Sequence, residues 1–339
     1  MHLGYLASLG TLFCWTISVF LLGRLSRLSH PWTLNKISLL YSAVLLGLLV
    51  CVKDSLSPYA LMTKPSISQW TWLGLSGILG KTLGDFFGYN CIRILGVRRR
   101  SMITTITPAF TWFFAFQWLG EKINVIGLTG IFMTIFALFS IYKDQDEAMD
   151  VQQDAYGTYL KGISMGIAGA ALTGIAFVIS KKAYHPQQES ISEFHGTWIR
   201  VIAALVVVLM IDLFRKEKEP TVHIFLKNKS TFLLLTGAVV FGTILGLSFS
   251  LVAITHLPVA VAYTIFAMVP LMVMIIEVIT GKTRIKQKQW VLAILAIIGV
   301  CILLWRNHVI PEAPSEALFI RSPEKLNPNC FQRILPLSC

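Results

Sequence analysis

The sequence predicts an all-α integral membrane protein whose ten transmembrane helices form two inverted five-helix repeats. Three observations lead to this fold class. Of the 339 residues, 55% are hydrophobic and only 14% are charged, which is unlike the composition of soluble domains. Apolar runs of about 20 residues recur along the chain, and each is long enough as a helix to cross a hydrocarbon core of about 30 Å. A shift of 162 residues also aligns the third run with the eighth.

The ten predicted spans are 3–22, 34–52, 69–91, 101–119, 124–142, 159–179, 195–214, 232–255, 259–280 and 288–305. We divide the chain into a first repeat (1–145), a linker (146–158), a second repeat (159–305) and a poorly ordered tail (306–339). The first run begins at Leu3 without a basic leader or a small-residue cleavage site, so we expect it to remain as a span. The connections are mostly short, which leaves little chain for a soluble lobe.

Basic residues set the expected topology. The net charge of +12 would suggest a nucleic-acid partner in a soluble protein. Here the Lys and Arg residues lie mainly in the connections, and we expect no nucleic acid to bind. Connections after odd-numbered spans hold about twice as many of them as the other side, which places both termini outside by the positive-inside rule. An even number of spans keeps the termini together in either orientation.

Residues 80–108 and 242–270 indicate an internal duplication. They share nine identities in 29 positions, at Gly80, Leu83, Gly84, Phe87, Ile92, Leu95, Val97, Ile103 and Pro108 of the first copy. Five spans per repeat is an odd number, so the second copy must enter the bilayer from the opposite face. Inverted repeats commonly build a substrate site near the bilayer midplane, with access that alternates between the two faces.

Two charges stand in the middle of the third predicted span. Lys81 and Asp85 are four residues apart, so they share one helical face and can pair. An unpaired charge at that depth costs about 2.5–3.5 kcal/mol on insertion scales. Either both face a polar cavity, where one binds a charged group of the substrate or Asp85 exchanges a proton, or they form a structural pair. The second repeat has Thr243 and Leu247 at the matching positions, which argues against a symmetric role.

Proline marks a kink in each repeat, because it removes a backbone hydrogen bond inside a helix. Pro108 and Pro270 are therefore candidate hinges. Beside the first kink, a threonine stripe at helical spacing could line a cavity: Thr104, Thr107 and Thr111. The alternative is that these hydroxyls bond back to their own helix.

Other residues in the spans have two interpretations each. Trp15 and Tyr263 could stack on a substrate, or pack between helices. Arg200 is expected to extend towards the membrane interface rather than to bind substrate. The spacing of Gly77, Gly80, Gly84 and Gly88 is typical of close helix packing.

The string Gly-Lys-Thr at 80–82 does not complete a phosphate-binding loop, because that motif needs a glycine where Leu75 stands. The same string at 281–283 fails in the same way. We therefore expect no ATP site, no cofactor and no metal, and the energy source would be a gradient or exchange.

Two stretches resemble a known family. The segment ILGVRRRSMITTITPAFTWFFAFQWLGEKIN at 94–124, with Pro108, Gly120 and Glu121, and the opening LFCWTISVF with Trp15 are similar to the drug/metabolite transporter superfamily and its EamA-type carriers, which have ten helices in two repeats. The resemblance covers about residues 3–305. Lys282 departs from it, because the family often has a glutamate there. The family also usually keeps both termini in the cytoplasm, opposite to the charge bias.

The resemblance implies a secondary transporter that moves an amino acid, a nucleoside-like compound or a drug through a cavity between spans 1–4 and 6–9. It leaves spans 5 and 10 at the periphery, where a homodimer could form. The expected partners are a small-molecule substrate and the lipid bilayer of the cell membrane, or the inner membrane if the protein is bacterial. A membrane-embedded enzyme acting on a lipid-linked substrate is the alternative, although it would need acids or histidines clustered at one face. A scaffold without transport activity is a third option.

Overall fold

The computed structural model describes residues 2–25, 28, 31–146, 156–184, 191–214, 228–280 and 287–309, and within these ranges every regular element is helical. The helices are α1 (His2–Leu25), α2 (Pro31–Lys53), α3 (Pro58–Thr63), α4 (Ile67–Gly77), α5 (Asp85–Thr104), α6 (Thr107–Leu119), α7 (Val125–Asp146), α8 (Tyr156–Lys182), α9 (Glu193–Phe214), α10 (Lys229–Val239), α11 (Ser248–His256), α12 (Val259–Phe266), α13 (Val269–Ile279) and α14 (Gln287–Val309). Most of the predicted linker, the tail from residue 310 and Lys282 lie outside the described residues.

Within the described residues, seven helical segments are long and apolar enough to cross a membrane. They are His2–Leu25, Trp32–Lys53, Gly157–Lys182, Glu193–Phe214, Lys229–His256, Val259–Ile279 and Gln287–Leu304, and Val125–Ile141 is a shorter apolar helix. The protein is therefore a multi-pass membrane protein. The predicted third, fourth and fifth spans are not among these seven segments.

The same distortion occurs at equivalent positions of the two repeats. A π-helical segment, π1, covers Ile78–Gly84, and a second, π2, covers Val240–Leu247. Their first residues are separated by the 162 positions of the internal match. Single π turns inside α-helices widen the backbone spiral and are frequent at functional sites. Each repeat thus carries an irregular turn in its glycine-rich helix.

A second irregularity also repeats. Residues 105–106 separate α5 from α6, and residues 267–268 separate α12 from α13 in the other repeat. Pro108 and Pro270 are each the second residue of the helix that follows the break. Proline is tolerated there because the first turn of a helix has no intrahelical use for its missing N–H. In each repeat a helix therefore ends shortly before the proline and a new helix begins at the residue directly before it.

The chain turns from the predicted third span to the fourth at Gly96. This residue has φ 83° and ψ 168° inside α5, a backbone conformation that glycine adopts without a steric penalty. The residues after Gly96, including Arg100, therefore begin the next helical stretch instead of a solvent-exposed connection.

The glycine-rich face is a close packing surface. A Cβ on Gly77 would lie 2.1 Å from the carbonyl oxygen of Arg200 in α9, and one on Gly84 would lie 3.0 Å from Oγ1 of Thr173 in α8. Small residues let helix backbones approach closely in a membrane. This face therefore holds α8 and α9 of the second repeat against the first.

The helices α7 and α14 pack against each other. Thr134 Oγ1 donates to the carbonyl of Gly130 at 2.8 Å and lies 3.4 Å from that of Ala296. Thr134 and Ala296 are also 162 positions apart, so equivalent positions of the two repeats meet here. A Cβ on Gly299 would lie 2.5 Å from Thr134 Oγ1, which shows how close the two helices are.

Candidate functional site

Lys81 and Asp85 form an ion pair inside the helical bundle. Lys81 Nζ lies 2.6 Å from Asp85 Oδ2, and the two side chains are 22% and 28% exposed. Lys81 belongs to π1 and Asp85 is the first residue of α5. From α2, Asn35 donates its side-chain N–H to the carbonyl of Lys81 at 3.1 Å. The pair thus lies where π1 passes into α5.

Two arginines lie near this pair without hydrogen-bond partners for their buried nitrogens. Arg200 is 1% exposed, and its guanidinium lies 4.9 Å from the ring centroid of Phe177. Its Nε and Nη1 are buried, and neither has a hydrogen-bond partner among the described residues. The same holds for Nη1 of Arg100. We call Arg100 and Arg200 the arginine pair.

Asp85 connects the arginine pair to two tyrosines. Both guanidinium groups interact electrostatically with Asp85 and with Tyr263, and Tyr89 interacts with Asp85 and Arg100. These six residues form what we call the central polar cluster: Lys81, Asp85, Tyr89, Arg100, Arg200 and Tyr263. It contains three cationic groups and one carboxylate, contributed by both repeats.

The threonine stripe divides into two kinds of residue. Thr107 is buried and hydrogen-bonds with the Tyr263 side chain, so it contacts the central polar cluster. Thr111 donates to the carbonyl of Thr107 at 2.9 Å, and Thr104 donates to that of Ser101 at 2.7 Å. The last two hydroxyls therefore bond back to their own helix.

An aromatic group lies beside the arginine pair. Trp15 and Phe266 have ring centroids 5.3 Å apart, and Phe177 and Tyr263 are also 5.3 Å apart, with edge-on geometry in both pairs. Trp15 Nε1 donates to the carbonyl of Gly242 at 3.1 Å, so α1 is tied to π2. The group joins helices of both repeats around one side of the cluster.

At one end of the bundle, a charged network links three chain segments. Glu121, after α6, accepts from Lys181 Nζ of α8 at 2.6 Å and from the backbone N–H of Val259 at 2.9 Å. Lys181 Nζ also donates to the carbonyl of Leu257 at 2.8 Å. We call Glu121, Lys181, Leu257 and Val259 the Glu121 network. A Cβ on Gly4 would lie 2.7 Å from Leu257, so the start of α1 is at this end.

Tyr184 follows α8 at the same end. Its hydroxyl is buried without a hydrogen-bond partner among the described residues. Burial, reinforced by the negative charge of Glu193, raises the pKa of the Tyr184 phenol, so the hydroxyl keeps its proton and can donate. The phenol also interacts electrostatically with Arg200.

Asp212, near the C-terminal end of α9, accepts hydrogen bonds from two residues of α2. Trp32 Nε1 donates to its Oδ1 at 3.1 Å and Lys36 Nζ to its Oδ2 at 2.7 Å. Helices α2 and α9 are therefore joined by a charged contact.

The predicted site residues are only partly brought together. Lys81, Asp85 and Tyr263 belong to the central polar cluster, with Thr107 and Trp15 next to it. The interface position expected for Arg200 is wrong, since its side chain is buried. Tyr89, near the end of the predicted third span, has two interpretations from the sequence, an interfacial anchor or a cavity gate, whereas Arg100 is not a candidate site residue there. A charge within an apolar helix indicates a candidate functional residue. The run of arginines shortly after Gly96 could have been recognised as such from the sequence.

A doubled helical membrane protein with charged groups between its repeats has the architecture of a membrane carrier. The chain matches the EamA-like transporter family over residues 2–143 and again over 160–305, and it belongs to this family. A solved crystal structure has the same fold, with a TM-score of 0.65 at 14% sequence identity, covering 90% of this chain and 98% of the other. The comparison with curated proteins gives no match.

Proposed function

We propose that the protein is a secondary transporter that moves a small polar or amphipathic metabolite by alternating access. The observation that carries this proposal is the central polar cluster, in which Asp85, paired with Lys81 of the first repeat, interacts electrostatically with Arg200 and Tyr263 of the second. Charged groups within a membrane span mark substrate and ion pathways. The exposure of Lys81 and Asp85, at 22% and 28%, supports a solvated space beside them.

We further propose ten spans in two inverted repeats. In this arrangement α4, π1 and the part of α5 before Gly96 form the third span, and α6 completes the fourth. The repeated π segments and the repeated breaks before Pro108 and Pro270 support two copies of one five-helix unit. With an odd number of spans per copy, the second copy runs in the opposite direction.

Alternating access needs contacts that can break at one end while the other end closes. The Glu121 network is suited to this role, because Glu121 of the first repeat holds Lys181 and Val259 of the second. The contact of Asp212 with Lys36 joins the repeats towards the opposite end. Rocking of one repeat against the other would separate these contacts in turn.

Asp85 is the candidate for proton coupling. A proton on its carboxylate would weaken the pair with Lys81 and increase the net positive charge of the central polar cluster. We propose that transport depends on pH through this residue. Uptake measured across pH in cells that express the wild type or Asp85→Asn tests this proposal. If the variant keeps the full pH dependence of the wild type, Asp85 does not couple transport to protons.

We place the carrier in the cell membrane, or in the inner membrane of a bacterial cell. The peripheral helices α7 and α14 expose apolar side chains, among them Phe136 at 62% and Val291 at 61%. Lipid or a second copy of the chain could cover them, and a homodimer through these helices is part of the proposal.

Purified protein in liposomes tests the function itself. Counterflow of a labelled metabolite supports the carrier. Product formation without flux would instead support a membrane-embedded enzyme acting on a lipid-linked substrate. Empty liposomes and liposomes with Asp85→Asn serve as controls.

A further inference from the structure

The arginine pair holds three of the buried side-chain nitrogens that lack a hydrogen-bond partner among the described residues. Nε and Nη1 of Arg200 and Nη1 of Arg100 have no hydrogen-bond partner in the described part of the chain. A buried polar group normally finds a partner, and one left without it needs an explanation such as a missing ligand. Three such nitrogens in one region point to a group that the protein itself does not provide.

Asp85 is not the missing hydrogen-bond partner of these arginine nitrogens. Its Oδ2 is bound to Lys81, and no ion pair within 4 Å joins either arginine to a carboxylate in the chain segments that the structure describes. The aromatic ring of Phe177 contacts the face of the Arg200 guanidinium, and Nε and Nη1 of Arg200 have no acceptor among the described residues. The central polar cluster therefore keeps an excess of positive charge.

We infer that the arginine pair binds the oxyanion group of the transported solute, a carboxylate or a phosphate, so that the substrate is an organic anion. This inference rests on the proposed transport function and adds the chemical class of the substrate. A guanidinium presents N–H groups in a planar fork that matches two oxygens of a carboxylate or phosphate. The positive excess of the cluster favours an anion over a cation or a neutral solute.

The surroundings of Arg200 extend this assignment. The buried hydroxyl of Tyr184 also lacks a partner among the described residues, and it interacts electrostatically with Arg200. The ring of Phe177 packs against the Arg200 guanidinium, and the ring of Tyr263 packs against that of Phe177. A solute with an oxyanion head and an apolar body would satisfy the arginine edges and place its body against these aromatic rings.

Thermal unfolding of the purified protein in detergent tests the inference at constant ionic strength. The probes are benzoate, phenyl phosphate, succinate and inorganic phosphate, with benzamide and succinamide as uncharged matches. We expect at least one oxyanion to raise the Tm of the wild type by at least about 3 °C at millimolar concentration, while its uncharged match does not. Comparison of benzoate with phenyl phosphate decides between the two head groups.

Variants locate the binding. Arg200→Gln and Arg100→Gln should each reduce the Tm shift at least threefold, whereas Arg24→Gln, which removes an exposed guanidinium of α1, should keep it. Arg200→Lys retains the charge without the fork, and we expect a reduced but measurable shift. If a glutamine variant does not fold, Arg200→Lys and the comparison of benzoate and succinate with their uncharged matches in the wild type still test the inference.

Three results would overturn the inference: no oxyanion shifts the wild type, the uncharged matches shift it equally, or Arg200→Gln keeps the full shift. The outcome for transport is separate. If a neutral solute shows counterflow that Arg200→Gln leaves unchanged, the proposed transport function stands and the inference of an anionic substrate fails. If an oxyanion binds through the arginine pair but shows no counterflow, the inferred binding site stands and the proposed transport function fails.

Discussion

Lys81 Nζ lies 2.6 Å from Asp85 Oδ2, one helical turn away, and Asp85 is also the carboxylate that interacts with Arg100 and Arg200. The two members of the pair are therefore not equivalent. Loss of Lys81 leaves Asp85 with two neighbouring cations. Loss of Asp85 leaves three cations with no negative partner in the cluster.

This asymmetry predicts an order of stability. Asp85→Asn should lower the Tm most, Lys81→Gln least, and the double variant should lie between them, because it removes one of the three remaining cations. A hydrogen-bonded charge left unsatisfied costs about 1–3 kcal/mol, so the largest change should be several degrees. Thermal unfolding of the four proteins in one detergent gives the order. A larger loss for Lys81→Gln than for Asp85→Asn contradicts this account.

Arg200→Met should not destabilise the ligand-free protein. The variant loses a cation–π contact worth about 0.5–2 kcal/mol, but it also removes a buried charge whose nitrogens have no partner, and replacing buried charges by apolar groups of similar volume is often neutral or stabilising. We expect a Tm equal to or above that of the wild type, together with loss of transport. A fall of more than about 4 °C would show that Arg200 supports the fold itself.

Gly77→Ala should be severely destabilising, because its Cβ would lie 2.1 Å from the backbone oxygen of Arg200. Backbone cannot yield as a flexible side chain can, and overpacking typically costs about 1–3 kcal/mol or more. Gly23→Ala is the matched control, since a Cβ there meets nothing within 4 Å. Alanine is favoured over glycine in a helix by about 0.5–1 kcal/mol, so the control should be neutral or stabilising. Expression and Tm compare the two variants.

Tyr263→Phe tests the connection between the kink and the cluster. The phenol of Tyr263 hydrogen-bonds with Thr107, in the first turn of α6 after the break. Thr107→Val removes the same bond from the other side. We expect both variants to lower the Tm by similar amounts and the double variant to add little, because they share one interaction. Additive losses would show that the two side chains act independently.

Much of the fold follows from local sequence. The match between 80–108 and 242–270 predicts two similar units, and the π segments and breaks recur at the same separation. Pro108 and Pro270 indicate where the helices are interrupted, because proline cannot continue the backbone hydrogen bonds. These features depend on residues near each other in the chain.

The candidate site is less predictable, because it depends on contacts between distant helices. Lys81 and Asp85 are visible as charges in an apolar run. The sequence alone places Arg100 in the connection after the third predicted span, because it does not show that the chain turns at Gly96 and that a helix begins directly after it. The burial of Arg200 depends on the close approach of α9 to the glycine-rich face at Gly77, and the spacing of residues along one helix cannot reveal this.

We propose that the two repeats move apart at the Glu121 network during each transport cycle. We would replace the six native cysteines, introduce Glu121→Cys with Lys181→Cys, and measure counterflow in liposomes before and after a short reducible thiol crosslinker. Thr134→Cys with Ala296→Cys, between the peripheral helices α7 and α14, is the matched control. We predict that crosslinking 121 to 181 stops counterflow, that reduction restores it, and that the control pair has no effect. Undiminished counterflow through protein crosslinked at 121 and 181 would show that transport does not require the repeats to separate there.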